Sequence, residues 1–408
     1  MRKTIIGLFL LLVSAVSCFK DNNFSPEQGS SEPSSPGTRT PVEETRRVMI
    51  MYSAGFNSLS SYLEADLGEM VADGYVPKAG SREEHVLLIF SRLSLYGDSV
   101  PEAPVLYRLY KDQNDKPVRD TLYRFQPEDQ GSDPAVLNKV MELARHYFPA
   151  KGYGLVFSSH GAGWLPSKNS TPESKVRSIG QDYDTGRVHE MEVQDFVKAI
   201  PFPLDYILLD CCFMGCVEVA WALKDVTPVV GFSPTEIVAD GFDYKLIASR
   251  LLAPQPDAQA VCEDFYAQYI DPKQNRPYAT ITLVDTQKLQ PLADVCKTLF
   301  QKYRLKLATL SPDKVQHYYR DNGEYRYYYF FDLRHMLVQA GITAQETTAL
   351  DQALDGCILY ERHTPKFFSL VLRNVCGLSV YLPSAGNATL DTYYKENIAW
   401  NQATQLIQ

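Results

Sequence analysis

The chain carries no surplus of basic charge: 40 Lys and Arg stand against 49 Asp and Glu, a net charge of −9. A protein that tracks phosphate backbones needs the opposite sign, so nucleic acid is excluded as a general partner while cationic substrates stay open. At 45% hydrophobic and 22% charged residues, the composition excludes disorder, collagen, a coiled coil and a polytopic membrane protein. No internal repeat occurs, and the Cys and His spacing of a zinc site is absent. The apolar run at residues 5–13 is shorter than the ~20 residues that span a bilayer. What is left is an ordinary folded chain of 408 residues, with room for about two or three domains.

The N-terminus reads as an export signal. Arg2 and Lys3, the apolar run, and the small residues Ser14-Ala15-Val16-Ser17 before Cys18 make residues 1–17 a signal peptide. Ala15-Val16-Ser17-Cys18 resembles a bacterial lipobox, in which the Cys becomes the lipidated first residue, although Leu is more usual where Ala15 stands. Two or more acyl chains on Cys18 would anchor the protein stably, where one holds only marginally. Residues 18–45 then form a tether, rich in Ser, Pro, Glu and Gly and too poor in aliphatics to offset the entropy of ordering. The expected location is the cell envelope, outside the cytoplasm, at the outer membrane or cell surface. Lys20-Asp21 after Cys18 points toward surface display.

From Arg46 the pattern changes. Apolar runs at 48–52, 86–90, 153–157, 206–209, 226–232 and 279–284 read as buried strands. Segments of helical period lie between them at 59–70, 134–147, 193–200, 216–223 and 242–252. That alternation predicts an α/β domain over 46–288, its mainly parallel sheet covered on both faces. A β-hairpin at 105–110 and 121–125 interrupts it. Residues 289–408 turn helical and close on a strand-like 377–382, either a subdomain or an extension of the same fold.

Two strands end in loops that carry chemistry. Ser158-Ser159-His160-Gly161-Ala162-Gly163-Trp164 follows 153–157, and Asp210-Cys211-Cys212-Phe213-Met214-Gly215 follows 206–209. Ligands of open parallel sheets bind beyond the carboxyl ends of the strands, so His160 and Cys212 are expected to face one another there. A thiol attacks as thiolate, which a nearby imidazole and a helix N-terminus both favour, and Cys212 stands just ahead of the helical 217–223. His160 is the candidate base, and the backbone N–H groups of Gly161 and Cys212 are the candidate oxyanion donors. Taken singly, each loop reads equally as a tight turn or as buried packing. Seven cysteines remain beyond Cys18, an odd number that leaves at least one thiol unpaired.

In company, these residues resemble the clostripain-like cysteine peptidases, relatives of caspases and gingipains. Met49-Ile50-Met51-Tyr52-Ser53-Ala54-Gly55-Phe56-Asn57, with Leu63-Glu64-Ala65-Asp66-Leu67-Gly68-Glu69-Met70, is similar to the family's first strand, turn and acidic helix. His160 to Trp164 matches its His-Gly-Gly-Gly-Trp with Ala162 in place of one Gly, and Asp210 to Met214 matches its Asp-Ala-Cys-Leu-Met with Cys211 in place of Ala. Val217-Glu218-Val219-Ala220 and Gly377 to Pro383 are also similar to family segments, so the likeness runs from about Arg46 to Trp400. The resemblance implies a caspase-like α/β/α sandwich with His160 as base, Cys212 as nucleophile and Cys211 as a packing neighbour. It further implies cleavage after Arg or Lys, with Asp210 and Asp240 as the acidic groups that receive the basic side chain. A carboxylate pairs bidentately with Arg, so Arg is expected to be preferred and Lys accepted. Asp210 reads alternatively as a helix cap and Asp240 as a plain turn residue.

Relatives are often zymogens that cut themselves after the catalytic His, which makes Lys168, Lys175 and Arg177 the self-cleavage candidates in a polar loop. Calcium, which some relatives require, is left unassigned at Gly180-Gln181-Asp182-Tyr183-Asp184, because two Asp are too few for its oxygen ligands; no other cofactor is expected. The competing expectation is a surface lipoprotein that keeps the fold as a non-catalytic binding module.

Overall fold

The structure, a computed structural model, describes residues 46–79, 85–94, 103–167, 178–184, 187–320 and 329–408. Cys18 and the candidates Lys168, Lys175 and Arg177 lie outside the described residues.

Five apolar runs become the parallel centre of a nine-stranded sheet. They are β1 (Arg47–Ala54), β2 (Val86–Arg92), β5 (Gly152–Ser158), β8 (Tyr206–Asp210) and β9 (Val229–Phe232), paired in the order β9-β8-β5-β1-β2. Both faces of these strands are covered, which is why their sequences are continuously apolar rather than alternating. The hairpin of β3 (Val105–Lys111) and β4 (Pro117–Arg124) continues the sheet antiparallel beyond β2. Its turn is shorter than the sequence pattern suggests. Asp112 accepts the N–H groups of Asn114 and Lys116, and Asp115 takes a left-handed φ of 59°, so the chain reverses at residues 112–116.

A second hairpin, β6 (Ile179–Asp184) with β7 (Arg187–Met191), lies outside the main sheet. At the other edge β10 (Thr280–Asp285) runs antiparallel to β9. The short β11 (Phe331–Asp332) pairs with Ser379–Val380, so the strand-like 377–382 makes a small ladder of its own. Strand β12 (Ile358–His363), from the C-terminal third, completes the main sheet against β10. The predicted strand at 226–232 is cut back to β9 because Pro228 has no N–H for the ladder.

Helices cover both faces. α1 (Ser60–Ala72) packs on α5 (Tyr244–Leu251), which packs on α6 (Ala258–Ile270); α2 (Pro134–Tyr147) packs on α3 (Val193–Ala199), and that on α4 (Val217–Leu223). α2 starts where the sequence signals it: the Asp133 side chain accepts the Ala135 N–H, and Pro134 fills the first helical position. α7 (Leu289–Leu307), α8 (Leu333–Ala340), α9 (Ala344–Cys357), α10 (Ala388–Asn397) and α11 (Ala399–Thr404) make the helical C-terminal third. Their apolar residues join the same continuous core as the central strands. This is the caspase-like α/β/α sandwich expected from the sequence. Among the described residues no helix is long and apolar enough to cross a membrane.

The strand order fixes where a ligand can sit. From β1 the chain moves outward to β2, then returns to β5 and moves the opposite way through β8 and β9. The connections after β1 and β5 therefore diverge, and a crevice opens at the carboxyl ends of the strands.

An ion pair secures the β6–β7 hairpin beside that crevice. Arg92 Nε donates to Asp182 Oδ2 at 2.6 Å, both side chains are almost fully buried, and the Gly131 N–H adds a second contact to the same oxygen at 2.6 Å. Burial pushes the Asp182 carboxyl up, and Arg92 opposes that shift. Removing one partner of a buried pair strands the other charge at a cost of about 3–5 kcal/mol. Arg92→Met should lower the unfolding free energy by about that much in urea denaturation, and the added Asp182→Asn should restore part of it; a loss within about 0.5 kcal/mol, typical of surface changes, would refute the role.

Candidate active site

Neighbouring parallel strands bring the two loops together. Ser158 at the end of β5 is in register with Asp210 at the end of β8, so the next residues of both strands leave the sheet side by side. The Ser159 N–H donates to the Asp210 carbonyl at 3.3 Å. Gly161 packs so closely on the second loop that a Cβ there would lie 2.8 Å from Cys211 Cβ and 2.9 Å from the Cys212 carbonyl oxygen. Gly163, at φ 59°, is just as confined, with the Phe213 carbonyl 2.8 Å from where its Cβ would be. The glycines are required by this interlock, since any side chain would force the loops apart.

His160 and Cys212 line one cleft with a volume of 320 Å³. Both are half-buried. His160 Nε2 lies 2.9 Å from Ser58 Oγ, a residue on the connection after β1. The Ile237 N–H points at the Cys212 sulfur, 3.4 Å away, an arrangement that favours negative charge on sulfur. Arg320 adds a cation within electrostatic reach of that sulfur, and it is held by a two-pronged pair with Glu236 on the cleft wall.

The turn that presents Cys212 is strained. Phe213 adopts a left-handed φ of 59°, rare for a bulky residue and worth roughly 1–3 kcal/mol. Its surroundings hold it there: its N–H donates to the Thr235 carbonyl at 2.8 Å, and its ring stacks on Tyr319 and Phe330 at 5.2 and 5.1 Å. Helix α4 begins at Val217, within one residue of the start that the sequence pattern gives, but Cys212 is not at its N-terminus. Phe213, Met214 and Gly215 separate Cys212 from Cys216, and Cys216 is the residue that sits at the helix N-terminus. The helix-terminus contribution expected for the Cys212 thiolate is thereby corrected, and the Ile237 N–H and the Arg320 cation stand in its place.

A bridge to Ile179 ties down the His loop. The Ala162 N–H bonds the Ser178 carbonyl at 3.0 Å and the His160 carbonyl accepts the Gly180 N–H at 2.9 Å. That pattern skips the Gly161 N–H, which has no acceptor among the described residues. A donor left over at the mouth of a cleft suits an oxyanion.

Asp210 lines the cleft while buried to 7% exposure. Its Oδ2 accepts the Tyr244 hydroxyl at 2.6 Å, and burial pushes the carboxyl up to about 6, so it is ionised above that pH. It caps no helix. Gly241, at φ 59°, lets the backbone pass where a Cβ would strike Asp210 Oδ2 at 2.4 Å. Asp240 stands exposed outside the cleft wall, near enough for its charge to bear on Asp66 and Tyr269. Asp66 was not singled out from the sequence, yet it too lines the cleft. Asp182 of the segment considered for calcium has its Oδ2 taken by Arg92, a poor start for a cation site. Among the described residues no group of three or more His, Cys, Asp or Glu is gathered as a metal site requires.

A thiol and an imidazole on adjacent strand ends of a caspase-like sandwich, with a buried carboxylate beneath them, make a site of the cysteine-peptidase class. The chain belongs to the clostripain family, whose model matches residues 51–406. It is 24% identical to clostripain of Hathewaya histolytica over 262 residues, which is 57% of this chain; the match spans about half, 46%, of that relative's length. An inactive zymogen C11 protease from Parabacteroides distasonis has a similar structure, with 25% identity, coverage of 90% of this chain and 99% of that chain, and a TM-score of 0.73. A secreted C11 cysteine protease from Bacteroides thetaiotaomicron, in complex with an irreversible peptide inhibitor, shares 25% identity, 88% and 99% coverage and a TM-score of 0.72.

All seven cysteines among the described residues are free thiols, but they are not equivalent. Cys211 and Cys216 are buried, with thiols that burial pushes well up, and so is the thiol of the half-buried Cys376. Brief treatment of native protein with iodoacetamide should therefore modify Cys212 first, as read by peptide mass mapping. Equal or earlier modification of Cys211 or Cys376 would contradict this reading of the site.

Proposed function

We propose that the chain is an exported, lipid-anchored cysteine endopeptidase that cleaves after Arg or Lys. The observation that carries this reading is the shared cleft of His160, Cys212 and the buried Asp210. The Cys212 thiolate attacks the scissile carbonyl, and a C–S bond forms as the C–N bond breaks. His160 takes the thiol proton and gives it to the leaving amine, then activates the water that releases the acyl group. The Gly161 and Cys212 N–H groups receive the oxyanion. Asp210 receives the basic side chain through the cleft floor, and Asp240, exposed nearby, adds negative charge at the entrance.

Family membership and the inhibitor-bound relative support the chemistry. The secreted relative supports function outside the cytoplasm, and the zymogen relative supports self-processing at Lys168, Lys175 or Arg177. The N-terminal signal and Cys18 support the lipid anchor.

Fluorogenic peptides that differ only in the residue before the cut test the specificity. Arg should exceed Lys, and both should exceed Ala or Asp by at least about 10²-fold, the scale on which an unmatched buried charge discriminates. Cys212→Ala and His160→Ala should each abolish turnover. Equal cleavage after Ala or Asp would remove the specificity reading.

Two further outcomes follow from processing and anchoring. Cys212→Ala should stay one chain on a denaturing gel while active protein runs as fragments, and Cys18→Ser should leave the membrane pellet. An intact, fully active chain, or unchanged pelleting, would refute the respective part.

A further inference from the structure

Helix α1 buries Leu63, Asp66, Leu67 and Met70. Their spacing is that of an apolar stripe, in which a carboxylate is out of place. Asp66 is nevertheless only 6% exposed and lines the same cleft as Asp210, His160 and Cys212. Among the described residues no group hydrogen-bonds or pairs with its carboxylate. A buried carboxylate without donors opposes folding, and such groups cluster where a ligand supplies the missing partner.

The charges around it sharpen the point. Asp66 is faced by Asp210 from the end of β8, Asp240 from the loop before α5, Tyr244 of α5, Tyr269 of α6 and Glu69 of its own helix. Glu69 has a distant partner in Lys245 at 3.7 Å, outside the cleft. Among the described residues no cation pairs with Asp66 or Asp210, so a group that completes them would come from outside.

We propose that Asp66 is a specificity-determining residue: a second carboxylate that, with Asp210, receives the cationic end of the substrate side chain before the scissile bond. The inference rests on the reading of cleavage after basic residues and assigns that preference to two carboxylates on different elements, α1 and the end of β8. Burial, then Asp210, Glu69 and Asp240, push the empty pocket's Asp66 carboxyl up to about 9. Near neutral pH it therefore holds a proton in the absence of substrate. An arriving guanidinium or ammonium reverses that balance, the carboxyl ionises, and the proton leaves to solvent. The uncharged form keeps the empty pocket from carrying two adjacent buried negative charges.

The test compares two peptides that differ only by Arg or its uncharged isostere citrulline before the cut. Wild type should prefer Arg strongly. Asp66→Asn, a near-isosteric change, should reduce the Arg-to-citrulline ratio of kcat/KM about 10- to 100-fold, mainly through KM for Arg, while citrulline cleavage changes little. Equal loss on both peptides would mark a merely structural role and overturn the proposal. If Asp210→Asn collapses the ratio and Asp66→Asn leaves it intact, the proposal falls while cleavage after basic residues stands. If wild type shows no preference for Arg over citrulline, the broader reading fails first.

Proton release needs no change at Asp66. Agmatine binding to unmodified Cys212→Ala protein, titrated calorimetrically at pH 7.5 in buffers of different ionisation enthalpy, should liberate close to one proton. Agmatine binding with no proton released would contradict the assignment.

Discussion

The site depends on the pairing of β5 with β8. Because Ser158 and Asp210 are in register, the chains emerging from the two strands are neighbours from their first residues, and the interlock of Gly161 with the Cys211–Cys212 step leaves no room to drift. Both strands are buried on both faces, so the loops that carry His160 and Cys212 spring from the packed centre of the sheet. A slip of one residue would turn His160 or Cys212 away from the cleft.

Around those strand ends the structure spends strain and charge. Phe213 is held in an unfavourable backbone conformation by stacked rings, which turns Cys212 out of the core while its neighbour Cys211 stays in it. Arg320 and the Ile237 N–H favour negative sulfur, and two buried carboxyls, Asp210 and Asp66, line the same cleft. The site is therefore polarised: anion-stabilising groups stand near the sulfur and acidic side chains line the rest of the cleft. Under the proposed specificity, a substrate whose reacting carbonyl belongs to a basic residue would complement both regions at once.

Much of this was legible in the sequence, and for a physical reason. His160 and Cys212 each follow directly on an apolar run, and runs buried on both faces signal a parallel sheet whose carboxyl ends gather the loops. Asp66 was not legible in the same way, since it stands among Glu64 and Glu69 and looks like any solvated acid. The overlooked signal was its place in the stripe Leu63, Leu67 and Met70. The start of α4 was legible to within one residue, but not that the turn at Phe213 sets Cys212 apart from Cys216, the residue at the helix N-terminus. β12 escaped notice because an edge strand reading Ile-Leu-Tyr-Glu-Arg-His lacks the apolar continuity of the central ones. The hairpin β6–β7 is short and polar for the same reason, though it anchors the site through Asp182.

The central claim is that one sulfur, assisted by one imidazole, attacks the carbonyl of a residue with a basic side chain. Intact-mass and peptide-mapping analysis after reaction with an irreversible peptide inhibitor ending in Arg tests it most directly. The account predicts a single adduct on Cys212, formed slowly or not at all in His160→Ala and blocked by excess agmatine. An adduct on another cysteine, or one whose rate ignores both His160 and agmatine, would contradict it.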